Sequence, residues 1–191
     1  MLSGSSILLP PLLDPGSHPP YKTEQVPSAR RKGATVNAIF DALYRLALAL
    51  WVGGIPIFTF LVTPILFRSL GRDEAGRMVG LFFPTYFSYN LAVAAAALGA
   101  FFLSSRGGWR LAHWGSLVLL VAALVAGTYV RFALYPRAEA VKRTIASFET
   151  VPREDPARRQ FSRIHGMSMA LNMALLADGI VLLLIAPVLR R

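Results

Sequence analysis

Apolar residues in this chain gather into long unbroken blocks, with the charged residues confined to the stretches between them. Four blocks stand out: Leu46 to Leu66, Phe82 to Leu103, Ala112 to Phe132 and Met167 to Ala186. Each reaches the roughly 20 residues that a helix rising about 1.5 Å per residue needs to cross about 30 Å of hydrocarbon. Lipid offers a peptide group no water to bond with, so runs of this length must coil and close their own hydrogen bonds. Arg131 is the one basic residue inside a block, and it stands one residue from the end, where its long stem can lift the charge into the headgroups. Trp51, Trp109, Trp114, Tyr86, Tyr89, Tyr129 and Tyr135 mostly lie near block ends, as amphipathic rings do at an interface. The pattern predicts an all-α fold: an integral membrane four-helix bundle with spans at 46–66, 82–103, 112–132 and 167–186.

The polar stretches set the organisation around those spans. Residues 1–36 read as a Pro-rich extended N-terminal arm, ending in Arg30, Arg31 and Lys32, ahead of a transmembrane domain at 37–191. Within the arm, Leu8 to Leu13 is too short and too interrupted by Pro10 and Pro11 to be the core of a signal peptide. The first loop, Phe67 to Leu81, mixes Arg68, Arg72, Asp73, Glu74 and Arg77 with apolar residues and predicts a short interfacial helix. Gly107 and Gly108 make the second loop a tight turn, and the third, Tyr135 to Gly166, reads as helical from Arg137 to Phe148 and then broken by Pro152 and Pro156. Four crossings place the N-terminal arm, the second loop and the C-terminus on one face. That face carries nine basic residues and the other eleven, so the usual charge bias does not decide the orientation. The expected location is a bacterial inner membrane with both termini cytoplasmic.

Composition sharpens the picture in two ways. With 54% hydrophobic residues, 16% charged ones and a mean hydropathy of +0.50, the chain is too apolar for a water-soluble domain. The net charge of +10 falls between the spans, which suits anionic lipid headgroups, and no basic and aromatic residues interleave on a polar domain as nucleic-acid binding would need. The expected partners are therefore membrane lipids and other membrane subunits, reached through residues 1–36 and the helix faces, and not nucleic acid. There is no cysteine, which excludes disulfides, thiolate metal sites and cysteine nucleophiles.

Polar residues within the spans are where chemistry is sought, because lipid penalises them unless they find partners. His165, Ser168 and Asn172 stand at i, i+3 and i+7 on one helical face. Tyr86 and Asn90 enter the second span, and Arg131 leaves the third, at the same membrane face, so these six form a candidate polar cluster. Such a cluster reads first as inter-helix glue, with a ligand or proton site centred on His165 as the alternative. Asp178 is the candidate intramembrane acid, far along the helix from His165 and facing another side. His113 and His165 begin their spans at opposite faces and cannot share one haem iron, although a pigment on a single histidine stays open. No metal-ligand spacing and no catalytic triad is recognisable, so neither a metal, a cofactor nor a catalytic residue is indicated. Two packing signals accompany these. Ser88, Ala92, Ala96 and Ala100 form a stripe of small residues on which another helix could lie closely, while Pro56 and Pro64, after Gly53 and Gly54, predict a kink in the first span.

The segments Trp51-Val52-Gly53-Gly54, Pro64-Ile65-Leu66-Phe67, Phe83-Pro84-Thr85-Tyr86-Phe87 and Phe161 with His165-Gly166-Met167-Ser168 and Asn172 resemble the transmembrane-protein-205-like family. The likeness runs from Leu43 to Ile185 and leaves out the arm. It implies a four-helix membrane protein of unknown function; a eukaryotic relative is associated with resistance to platinum drugs, and no shared catalytic residue comes with the family. Three functions follow as expectations. The first is a non-catalytic accessory or structural subunit of a larger membrane complex, respiratory or photosynthetic, with the arm docked on partner chains and no sizeable polar cavity. The second is a small transporter or efflux component using Asp178 and the His165 cluster, and the third is a haem- or pigment-binding membrane protein.

Overall fold

The computed structural model describes residues 28–105 and 109–190. Every regular element among them is helical. The first rod is α1 (Ser28–Pro56), a π-helical segment (Ile57–Val62) and α2 (Thr63–Ser69), and the second is α3 (Arg72–Ser104). The third joins α4 (Leu111–Tyr129), a second π-helical segment (Val130–Leu134) and α5 (Tyr135–Lys142), and the fourth is α6 (Pro156–Ile185), with a closing 3-10 turn at Val188–Arg190. The four spans Thr35–Ser69, Arg72–Ser104, Leu111–Lys142 and Pro156–Ile185 are each long and apolar enough to cross a membrane. At 1.5 Å per residue each is ~45–50 Å long, so its ends project beyond the hydrocarbon. The fold is therefore the membrane four-helix bundle that the block pattern predicts.

Prolines explain both π-helical segments. Each lies just before one, Pro64 and Pro136 respectively. A proline has no N–H to give the helix, and its ring crowds the preceding turn. Widening that turn to i→i+5 bonding relieves the crowding: the Thr63 N–H bonds to the Phe58 carbonyl and the Tyr135 N–H to the Val130 carbonyl. The Thr63 hydroxyl donates to the same Phe58 carbonyl at 2.9 Å. The expected kink is thus a wide turn that swings Phe58, Thr59 and Thr63 off the line of α1.

Three expectations about the polar stretches change. Residues 28–36, assigned to the extended arm, are the first turns of α1, and the remainder of the arm lies outside the described residues. In place of an interfacial helix, the first loop is a two-residue break at Leu70 and Gly71, and its charged residues belong to the ends of α2 and α3. Those charges cap long rods that overrun the bilayer. Helix in the third loop stops at Lys142, short of Phe148, and Pro156 opens α6 instead of ending a helix. Asp155 makes that start: its carboxylate accepts the N–H groups of Ala157 and Arg158 at 2.9 and 3.1 Å, and a proline in the first turn has no N–H to leave orphaned.

The rods pack in a ring, α1 on α3 and α6, and α4 on α3 and α6. Leu48, Trp51, Ile55, Phe101, Leu120 and Leu182 fill its centre. Where α6 crosses α1, Gly179 lets the helices meet: a β-carbon there would lie 3.0 Å from Val52 and 3.6 Å from the Trp51 ring. At one end, Arg110 reaches the Val188 carbonyl and ties the start of α4 to the end of the chain. At the other, the Phe148 N–H donates to Asp73 at 2.6 Å, joining the first loop to the third. The outer surface is apolar along the spans, as at Leu184 (71% exposed) and Val125 (65%), which fits a lipid surround and not water.

Candidate functional site

The wide turn of the first rod, α3, α5 and the first half of α6 enclose a cavity of about 370 Å³ at the end of the bundle where the first and third loops meet. Its deep wall is polar. The Tyr86 hydroxyl donates to Asn172 Oδ1 at 2.8 Å, and Asn172 Nδ2 donates to the Thr59 hydroxyl at 3.1 Å. One hydrogen-bonded chain thus crosses three rods and satisfies polar groups that lipid could not. Phe58 stacks on the Tyr86 ring at 4.3 Å, and Phe83, Phe87 and Tyr135 continue the aromatic side.

Four of the six residues of the expected cluster, Tyr86, His165, Ser168 and Asn172, line this cavity. His165 makes no hydrogen bond there; its ring lies parallel to Phe161, 7° apart at 5.8 Å. Asn90 stands behind the wall, donating to the Tyr86 carbonyl at 2.9 Å, with its own buried oxygen unpartnered. Arg131 turns away from the cluster: it bonds Ser88 at 3.2 Å and lies over the Phe132 ring on the outside. Of the residues quoted for the family resemblance, Phe67, Phe83, Tyr86, Phe87, Phe161, His165, Ser168 and Asn172 line this cavity from three rods, while Trp51 belongs to the core of the bundle.

The outer part of the cavity is charged, which the span-by-span reading missed because those residues fall in loops. Arg72, Lys142 and Arg158 line it with one carboxylate, Glu139. Lys142 is engaged, 3.6 Å from Glu139 and donating to the Gly76 carbonyl at 2.8 Å. Gly80 leaves the room that lets it approach; a β-carbon there would lie 2.9 Å from the ammonium. Arg158 lies over the Phe148 ring at 5.4 Å and donates to the Val151 carbonyl. Asp73, in the charged first turn of α3 and well before its apolar run, closes the rim. Hydrogen bonds from the Ser147 hydroxyl and the Phe148 N–H hold its carboxyl below the usual range, with Arg158 adding to the effect.

The cavity has a gap between α2 and α6. α6 packs along α1, but beyond the Asn172–Thr59 bond it makes no extensive contact with the first π-helical segment or α2. Phe67 on α2 and His165 and Met169 on α6 face each other across the gap and are exposed at its edge.

Asp178 lies away from this cavity, half-buried between α6 and its neighbours, with one oxygen buried and unpartnered. Sequence reasoning left it alone at its depth. The structure places Tyr44 of α1 beside Ser116 of α4 and within electrostatic reach of Asp178, and the hydroxyls of both are buried and unpartnered too. Tyr44 and Ser116 went unnoticed because one precedes its apolar block and the other is a single hydroxyl within one. His113 sits at the opposite end of the bundle from His165, beside Trp109 and Phe101, so the two histidines are separated as expected. Among the described residues, no group of three or more His, Asp or Glu could hold a metal ion. Of the small-residue stripe, Ala100 is buried and Ser88, Ala92 and Ala96 are exposed; α3 meets the core through Tyr86, Asn90, Ala94, Ala97 and Phe101 instead.

Residues 46–147 match the family model described as a domain of unknown function, DUF4149. An uncharacterized protein of Aquifex aeolicus (strain VF5) is 34% identical over 146 residues, which is 74% of this chain and 96% of that protein. No solved structure matches the chain.

Proposed function

The chain belongs to the family of the domain of unknown function DUF4149, a family with no activity attached, and on that premise we propose that it is a small membrane-embedded binding component that takes up a lipophilic small molecule from the bilayer. The observation that carries this is the cavity itself. At about 370 Å³ it falls within the range of small-molecule sites, with an aromatic lining and a few fixed polar groups, Tyr86, Asn172 and Thr59, at its deep wall. In this reading the molecule enters through the gap between α2 and α6, two helices whose rods are apolar enough to cross a membrane. The proposal also retains the transmembrane-protein-205-like assignment and a bacterial inner membrane with cytoplasmic termini.

The test is extraction of the protein in native nanodiscs and mass spectrometry of what it carries. A lipophile at one per chain is expected, lost when Asn172→Phe fills the cavity. Recovery of nothing, or of the same lipids in the same amounts from the filled variant, sinks the proposal. Met169→Trp, at the edge of the gap, is expected to slow exchange of that lipophile several-fold while leaving the melting temperature near that of the parent.

A second reading, an accessory subunit of a larger membrane assembly, is favoured by a different feature. An open apolar groove between α1 and α3, lined by Leu43, Leu46, Val93, Ala96, Gly99 and Leu103, offers small residues against which a partner helix could lie. Stoichiometric co-purification of another membrane chain, lost on Gly99→Leu, would support it.

A further inference from the structure

We infer that the molecule held in the cavity is a single-chain amphiphile with a terminal anion, of the fatty-acid class, with its chain against the aromatic wall and its anion at Arg158 and Arg72. The inference rests on the cavity being a ligand site, as proposed above, and adds the chemistry of what enters it.

The argument begins with the charges lining the cavity. Three cations and one carboxylate face it, and the carboxylate, Glu139, is taken by Lys142. Lys142 is taken in turn, since its ammonium also donates to the Gly76 carbonyl. Two guanidinium groups are left over. Among the described residues, the ion pairs are Lys142 with Glu139 and Arg77 with Glu74, so neither Arg72 nor Arg158 has a carboxylate partner. Asp73 lies within electrostatic reach of Arg158 and offsets part of its charge, but the two form no ion pair, and Asp73 Oδ1 accepts the Phe148 N–H. Arg158 is moreover held in place, by the Phe148 ring beneath it and by the Val151 carbonyl, so it faces the cavity in a fixed attitude. A guanidinium held this way offers N–H donors in a planar fork, the arrangement that fits a carboxylate or phosphate.

The rest of the cavity argues for a narrow apolar body. Between the charged residues and the Tyr86–Asn172–Thr59 chain most of the lining is apolar, Phe148, Phe161, Val79, Phe83 and Phe58 among it, with Thr63, Tyr135, His165 and Ser168 as the further polar side chains. A phospholipid carries two acyl chains, whereas a cavity of about 370 Å³ with an aromatic lining suits one chain. Free inorganic anions lack the apolar part and would leave those walls unfilled.

The experiment uses the full chain in nanodiscs of zwitterionic phosphatidylcholine, which brings no competing anionic lipid. The probes are a fluorescent long-chain fatty acid, its neutral methyl ester and the corresponding long-chain amine. At a pH where the acid is ionised, the acid is expected to bind about tenfold more tightly than the ester, the size of effect that a charge-assisted contact gives. The double variant Arg72→Gln with Arg158→Gln should bring the acid down to the level of the ester without weakening the ester. Arg158→Lys, which keeps the charge, should retain part of the preference and serves as the control for folding. Equal binding of acid and ester, or preference for the amine, overturns the inference while leaving the cavity as a ligand site. Failure of all three probes to bind overturns the ligand-site reading along with it.

Discussion

A single asparagine holds the deep wall of the cavity together. Asn172 accepts from Tyr86 and donates to Thr59, so its loss strands a part-buried phenol and hydroxyl without a partner. Asn172→Leu is expected to lower stability by about 1–3 kcal/mol, the usual result of orphaning buried partners, and unfolding in mild detergent measures it. Asp73 makes a different prediction, because it sits in the charged turn before the apolar run of α3. Its carboxyl is held below the ordinary range by the Ser147 hydroxyl and the Phe148 N–H. A carboxylate whose folded value is depressed contributes stability that is fully present above the unfolded value and is lost as pH falls through the folded one. The join between the first and third loops should therefore hold at neutral pH and loosen only in acid, below the ordinary carboxylate range. Limited proteolysis of the 143–155 turns across that pH range reads it out. In Asp73→Asn the same turns should be cut readily at every pH; protection that persists in the variant would show that the join lies elsewhere.

At the scale of elements, two prolines shape the site. Pro64 forces the wide turn that brings Phe58, Thr59 and Thr63 to the cavity, and Pro136 forces its counterpart in the third rod. Pro64→Ala restores an N–H, so the first rod can straighten into a continuous α-helix. Ligand retention is expected to fall while the melting temperature holds or rises; unchanged retention would mean the wide turn is incidental to the cavity. The contrast shows how the sequence encodes this molecule. Span length and polarity are local properties of a block, so all four helices are legible without knowing their neighbours. The kink was legible too, since proline acts on its own helix. The shared face of His165, Ser168 and Asn172 follows from spacing alone, whereas the cavity they line does not. What spacing could not give is depth and rotation between rods. Thr59 looks like any residue of an apolar run until the wide turn aims it at Asn172, and Arg131, at the expected level, faces outward to Ser88. Arg158 and Lys142 fall in a stretch that reads as solvated loop, and only the folding of that loop onto α3 brings them to the cavity.

The whole molecule is a ring of rods with an apolar outside, and its two ends differ in chemistry. One end gathers Arg110, Trp109, His113 and the last turn of the chain; the other gathers Asp73, Lys142, Arg158 and the mouth of the cavity. If the rods cross a bilayer, these ends must lie on opposite sides of it, since about 30 Å of hydrocarbon separates them. The absence of cysteine makes this directly measurable, because any single cysteine introduced is the sole thiol of the chain. Ser69→Cys and Thr150→Cys, in the first and third loops, are expected to react with a membrane-impermeant maleimide from the same side of sealed vesicles. Ser105→Cys, at the end of α3, should react only from the other side or after the vesicles are opened. Whether that pair or Ser105→Cys is labelled in right-side-out vesicles then fixes the orientation that nine basic residues against eleven leave undecided. Labelling of all three from one side would mean that the rods do not cross, and with that the sideways entry of a lipid-borne ligand between α2 and α6 would fall as well.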